Sequence, residues 1–101
     1  METTHIKRWK ATEAVLERAH LALPQPTGQF RAEFDRAVGE YRHFLAHNEL
    51  GLAFESLRDA AKLVPSRGGV WRDLIRAAEF MELHAELPEL RALFEAAATQ
   101  D

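Results

Sequence analysis

Residues 41–57 read YRHFLAHNELGLAFESL, and this segment decides the fold. Apolar residues recur every three to four positions up to Leu45, the period of a helix with one buried face. After three polar residues the same period resumes at Leu50. Two amphipathic helices with so short a break between them are expected to fold back as a hairpin. We predict that the Asn48 side chain caps the second helix and that Glu49 is stabilised by its dipole.

Gly51 lies in the first turn of the second predicted helix. A missing side chain there would let the preceding helix approach closely, so we predict that Gly51→Leu disturbs packing. Unchanged stability would instead favour a functional site at this corner. We interpret the corner as a structural turn from which His47 and Glu49 point outward.

The helical period extends over the rest of the chain, and breaks rich in Pro and Gly interrupt it. Alternating strand patterns are nearly absent, while Ala, Leu, Glu and Arg dominate. We predict an all-α bundle of about five antiparallel helices. The predicted helices cover residues 5–22, 28–46, 49–64, 70–83 and a fifth segment from 88 that frays over AAATQD. Thr3 or Thr4 is the expected cap of the first helix, and Thr27 that of the second.

The composition fits one helical domain over residues 1–101, with 47% apolar and 29% charged residues. We expect the two Trp and six Phe residues in or near its core. The absence of Cys excludes disulfides, thiol nucleophiles and cysteine zinc sites. The N-terminus METTHIKRWK has no apolar signal core, and no segment is long and apolar enough to span a bilayer. We therefore expect a cytoplasmic protein without a membrane partner.

The central segment resembles a hairpin of the tetratricopeptide repeat, which has a 34-residue period. The residues at the spacing of the second repeat helix are Ala53, Leu57, Ala60 and Pro65. Phe44 fits the aromatic position of the first helix, but Glu40 and Tyr41 stand where Leu and Gly are expected. Trp71 and Leu74 open a second copy in which the register then fails. The resemblance covers about half of the chain and implies a degenerate tetratricopeptide-like, helical-hairpin bundle.

No arrangement typical of a catalytic centre is found in the sequence. Ser66 lies in the turn PSRGG, but a phosphate-binding loop needs a preceding strand and a following Lys and hydroxyl residue. The carboxylates are spread over predicted solvent faces and are not paired around an apolar cleft. We therefore expect a protein that is not an enzyme and that needs no cofactor.

Glu40, His43 and His47 lie at positions i, i+3 and i+7 of one helix face, where they could offer ligands to a metal. A catalytic zinc helix of the form HExxH would carry Glu where Phe44 stands. The face is also the predicted solvent side, and a His near a helix C-terminus complements the dipole. We expect no metal and interpret the stripe as a solvated helix end or, together with Glu49, as a partner contact.

The net charge is only −3, but acidic residues accumulate toward the C-terminus. From residue 79 onward six acidic residues face a single base, Arg91. Such a surface repels phosphates, and the cluster Arg67, Arg72 and Arg76 is too small to attract them, so we expect no nucleic-acid partner. The surface suits a basic protein, or it is simply a solvated acidic helix face. The candidate contacts are Glu79, Glu82, Glu86 and Glu89.

The segment 41–57, with WRDLIRAAEFMEL at 71–83, resembles small bacterial immunity proteins encoded beside polymorphic or contact-dependent toxins. The matching residues are Tyr41, Phe44, Leu45, His47, Asn48, Glu49, Leu52, Ala53, Trp71, Ala77, Ala78, Glu79, Met81 and Leu83.

This resemblance implies a protein that binds a cognate toxin domain and blocks its active site or a neighbouring surface. The acidic residues from 79 to 89 would meet a basic catalytic surface, and the stripe of Glu40, His43, His47 and Glu49 is the second candidate surface. The alternative is a general helical-hairpin adaptor that binds a peptide in a groove. The sequence leaves the oligomeric state open.

Overall fold

The computed structural model of the chain describes residues 2–100, and the side chains of residues 7–99. The elements are α1 (Glu2–Leu21), α2 (Arg31–Ala46), α3 (Leu50–Lys62), α4 (Gly68–Phe80), a 3-10 turn (His84–Glu86) and α5 (Leu87–Gln100). No strand occurs in this part of the chain, so the predicted all-α fold of five helices is confirmed. Among these helices, none has the length and apolar character needed to cross a bilayer.

The helices pack as two hairpins and one long helix that joins them. α2 packs on α3, and α4 packs on α5. Besides α5, the helix that packs most extensively on α4 is α1, not α2. Arg8 of α1 contacts Glu82 just beyond α4, while Arg18 contacts Asp73 within it. Residue numbers therefore rise along α1 as they fall along α4, and the two helices are antiparallel.

One core joins all five helices, and burial of its apolar surface is the main stabilising contribution to the fold. Its largest fully buried side chains include Leu16 of α1, Tyr41 of α2, Phe54 of α3, Leu74 of α4 and Leu90 of α5. Trp71 joins them with 4% of its surface exposed.

Three aromatic residues, Trp9, Phe30 and Phe34, lie outside this core, contrary to the sequence-based expectation. Phe34 is half-buried on α2. Trp9 is 38% exposed because α1 runs on past the end of α4: Arg8 already reaches Glu82, beyond the last residue of that helix. Phe30 is 37% exposed because it precedes α2, a helix at the edge of the bundle.

The corner between α2 and α3 is a Schellman turn. Asn48 has a φ of 60°, and its amide donates to the Leu45 carbonyl at 3.1 Å. The Glu49 amide donates to the Phe44 carbonyl at 2.9 Å. These are the two hydrogen bonds that define the motif. Asn48 therefore ends α2, and the prediction that its side chain caps α3 is wrong, since the cap position belongs to Glu49 and has no side-chain bond.

α4 ends in a corner of the same geometry. Glu82 has a φ of 57°, and its amide donates to the Glu79 carbonyl at 3.1 Å. The Leu83 amide donates to the Ala78 carbonyl at 2.8 Å. The helix predicted to reach residue 83 therefore stops at Phe80. Asn tolerates left-handed backbone well, but Glu does not, so strain of about 1 kcal/mol is stored at Glu82.

The other helix ends also correct the predicted caps. Thr27 precedes α2 by a full turn, and its carbonyl accepts a hydrogen bond from the Phe30 amide. The N-cap residue of α2 is Phe30, and no side chain caps the helix there. Thr3 and Thr4 lie inside α1, because no helix breaker separates them from its first residue. The alanines at 96–98, strong helix formers, carry α5 to Gln100 in place of the predicted fraying.

We predict that Glu82→Gly raises the free energy of unfolding by about 0.5–1 kcal/mol, because Gly adopts left-handed backbone without a side-chain clash. The lost Glu82–Arg8 contact, 3.8 Å and well exposed, should contribute little. Urea denaturation monitored by circular dichroism measures the change. Asn48→Gly is the control and should gain less; a destabilised Glu82→Gly protein would contradict the assignment of strain.

Gly51 does not mark a close approach of α2, so the reason given for the predicted effect of Gly51→Leu is absent from the structure. A Cβ atom built on Gly51 meets nothing within 4 Å, so no atom of α2 closes on this position. A Cβ atom built on Gly39, in the middle of α2, likewise meets nothing within 4 Å.

We expect Gly39→Ala to stabilise the fold by about 1 kcal/mol, because Ala loses less backbone entropy than Gly in a helix. Gly51→Ala should raise the free energy of unfolding by about 0.5 kcal/mol, because Gly costs less stability in the first turn of a helix than in its middle. Thermal or urea unfolding measures both variants. A loss of stability in Gly51→Ala would restore the packing interpretation of this corner.

Candidate functional site

The stripe predicted on α2 is exposed, and its two histidines lie together. The rings of His43 and His47 have centroids 4.4 Å apart. His47 Nδ1 lies 2.8 Å from the His43 carbonyl oxygen. Because a carbonyl oxygen can only accept a hydrogen bond, Nδ1 is the donor in this contact. Glu40 and Glu49 are exposed as well. The stripe therefore offers polar atoms to a partner from a rigid helix end.

Glu40 adds no third ligand to the histidines. Among the side chains of residues 7–99, no three from His, Asp or Glu converge on a position that could hold a metal ion. Glu40 instead lines a cavity of about 280 Å³ between α2 and α3, together with Glu33 and Asp59.

The acidic C-terminal residues have basic partners within the chain. The pairs are Glu79–Arg91 at 3.9 Å, Glu82–Arg8 at 3.8 Å, Glu86–Arg58 at 2.6 Å and Glu89–Lys62 at 2.9 Å. The hydrogen bond and the charge of Lys62 lower the pKa of Glu89. The chain fold thus brings three further bases to this surface, which carries less free negative charge than the sequence suggests.

Glu86 has a structural contact that the other three acids lack. Its partner Arg58 is only 15% exposed in its side chain and lies 5.8 Å from the ring centroid of Phe54. The pair therefore holds the 3-10 turn against α3. A charge reversal at Glu86 would change stability as well as surface charge, whereas Glu82 is 72% exposed and can be changed more freely.

An open groove separates α1 from α2. A cavity of about 480 Å³ lies at one end and one of about 460 Å³ at the other. Both are lined by His20, Leu21 and Arg42, so the two cavities adjoin, and together they are called the α1–α2 groove. Its apolar lining consists of Leu21, Leu23, Phe34, Val38 and Leu45.

The groove exists because the apolar face of α2 is wider than its contact with α3. Tyr41 is fully buried, and Phe44 packs against the core. Phe34 and Val38, which lie farther round the helix, are only half-buried and stand apart from the core cluster. Across the groove, Leu21 is 76% exposed. Some apolar surface is therefore left open to solvent between α1 and α2.

A polar bridge ties the two helices together at this groove. Tyr41 donates its hydroxyl to Glu17 Oε1 at 2.9 Å, and His20 Nδ1 lies 3.1 Å from the same oxygen. The His20 and Tyr41 rings are 5.1 Å apart. Burial raises the pKa of Tyr41 well above its ordinary value near 10, and the Glu17 carboxylate adds to the shift. The hydroxyl therefore stays protonated and fixes the separation of α1 and α2.

The sequence contained signs of such polar pairs that the periodicity argument overlooked. Asp73 falls between Val70 and Ala77 on the apolar face of α4, and the structure buries it against Arg18. A charged residue inside an apolar stripe indicates a buried ion pair, since an unpaired charge is rarely buried.

Comparison of the chain with protein-family models, with curated proteins and with solved structures gives no match. The groove and the stripe therefore carry the functional argument on their own geometry.

We predict that Tyr41→Phe lowers the free energy of unfolding by about 1 kcal/mol at neutral pH, the typical contribution of one hydrogen bond. Because the folded-state pKa is raised, the contribution of Tyr41 is complete below pH 10 and falls as pH rises above it. Urea denaturation of both proteins at neutral pH and above pH 10 measures the difference. Equal pH dependence in the two proteins would contradict the role of the bridge.

Proposed function

We propose that the chain is a non-catalytic binding protein that neutralises a cognate bacterial toxin domain by covering its active site or an adjacent surface. The likeness of residues 41–57 and 71–83 to immunity proteins suggests the kind of partner. The observation that carries the proposal is the α1–α2 groove, an apolar surface that is open to solvent between two helices. Such a surface is the usual mark of a protein contact.

The surfaces predicted from the sequence contribute unequally to this proposal. The stripe of Glu40, His43, His47 and Glu49 is exposed and remains a candidate contact. The acidic residues 79–89 are each paired within the chain, so they favour a basic partner less strongly. Electrostatic attraction there would speed association more than it would strengthen the complex.

A helical-hairpin adaptor is the second candidate, and the groove favours it too, because peptides commonly dock as helices in such depressions. The two functions differ in selectivity. An immunity protein binds one toxin with nanomolar affinity, whereas an adaptor binds several peptides at about micromolar Kd.

The proposal predicts that a large secreted protein with a variable C-terminal domain is encoded immediately upstream of the gene for this chain. The deciding experiment co-expresses the chain with that C-terminal domain. We expect a stable complex with a nanomolar Kd and loss of the domain's toxicity. A protein that neither binds nor protects against the toxin of its own gene neighbourhood would overturn the proposal. Micromolar binding without protection would support the adaptor.

We predict that Glu82→Lys weakens the toxin complex several-fold, about 3- to 10-fold, with an effect that shrinks at high salt. Isothermal titration calorimetry at two salt concentrations measures it. Glu55→Lys is the control, because Glu55 is exposed on α3 and pairs with no residue that the structure describes. Equal weakening by both substitutions would mean that only net charge matters.

A further inference from the structure

We propose that the α1–α2 groove seats an amphipathic helix whose flanks are basic. The inference deepens the proposed function and rests on it, because the toxin domain is the partner expected to supply the helix. Three features of the groove carry it: length, apolar floor and charge.

The length of the groove matches a short helix. Its lining on α2 runs from Phe34 to Ala46, twelve residues along, or about 18 Å at the helical rise. A partner helix of about three turns covers the same distance. The floor presents Val38 and Leu45 from α2 opposite Leu21 from α1, the kind of apolar track into which residues at i, i+3 or i+4 and i+7 insert.

The charge of the groove selects a basic partner. Glu13, Glu17 and Asp35 line it, against the single strong base Arg42. Glu13 and Asp35 form no ion pair with any residue whose side chain the structure describes, unlike the acids at the C-terminal end. Lys or Arg residues flanking the apolar face of a bound helix would meet these free carboxylates.

The same charges argue against a second copy of the chain as the occupant. In a two-fold symmetric dimer each groove meets itself, so two surfaces that each carry three carboxylates and one strong base would be brought together. Like charges in such an interface are unfavourable.

The test uses the full chain and a fluorescein-labelled synthetic helix of about 14 residues built from Leu and Lys. A matched peptide carries Glu in place of every Lys. Fluorescence anisotropy measures both affinities. We expect the basic peptide to bind and the acidic peptide to bind at least about tenfold more weakly. Equal affinity for the two peptides would overturn the charge argument.

Leu21→Lys locates the binding site, since Leu21 is 76% exposed and its replacement leaves the core intact. We expect about tenfold weaker binding of the basic peptide, through a lost apolar contact and an added like charge. Leu52→Lys is the matched control, because Leu52 is 44% exposed on α3 and lies outside the groove. Unchanged binding by Leu21→Lys, or equal loss in both variants, would overturn the location.

Charge is tested separately by Asp35→Lys against Glu55→Lys, two exposed acids of which only Asp35 lines the groove. Only Asp35→Lys should weaken binding of the basic peptide. Sedimentation of the unmodified chain tests the competing occupant, and a dimer abolished by Leu21→Lys would overturn the inference.

The two proposals fail in different ways. If the toxin domain binds equally to the unmodified chain and to Leu21→Lys, the proposed function stands and the groove inference is overturned. If the basic peptide binds in the groove but the toxin domain does not bind at all, the groove inference stands and the proposed function is overturned.

Discussion

The ion pair between Arg18 and Asp73 determines how α1 lies on α4, and the remaining geometry depends on that contact. Asp73 is 3% exposed, and its carboxylate accepts hydrogen bonds from Arg18 Nε, at 3.0 Å, and from Arg18 Nη2, at 2.7 Å. The hydrogen bonds and charge of Asp73 raise the pKa of Arg18. A carboxylate this deeply buried is tolerated only when it is paired. Because α4 also packs on α5, the pair fixes the register of α1 on the bundle, and the Tyr41–Glu17 hydrogen bond then joins α2 to α1.

The helices and hairpins were predictable because they follow from a local period and from local breakers. The role of Asn48 was not, because Asn is favoured both as a helix cap and in left-handed backbone, and only the φ angle decides between them. The exposure of Trp9 was not predictable either. A helical period identifies one face of α1, but it does not tell how far that face extends beyond the helix it packs against.

The candidate surfaces were predictable only in part. The exposed stripe on α2 is a property of one helix, so its period suffices to find it. The pairing of the acidic residues is not a property of one helix. Glu86 forms an ion pair with Arg58 and Glu82 with Arg8, which are far away in the chain. The groove was equally hidden, because it arises where two helices fail to close on each other. Its one sequence sign is an apolar face on α2 broader than a single neighbour can cover.

The edge position of α2 has a consequence for local unfolding. Only Tyr41 is buried in this helix, whereas α3 and α4 each bury six residues. Local opening is easiest where the fewest apolar contacts are lost, so amide hydrogens of α2 should exchange with solvent before those of α3 and α4. A partner in the groove contacts this same helix and stabilises its closed form by mass action. Binding would then be recorded most sensitively as slower exchange along α2.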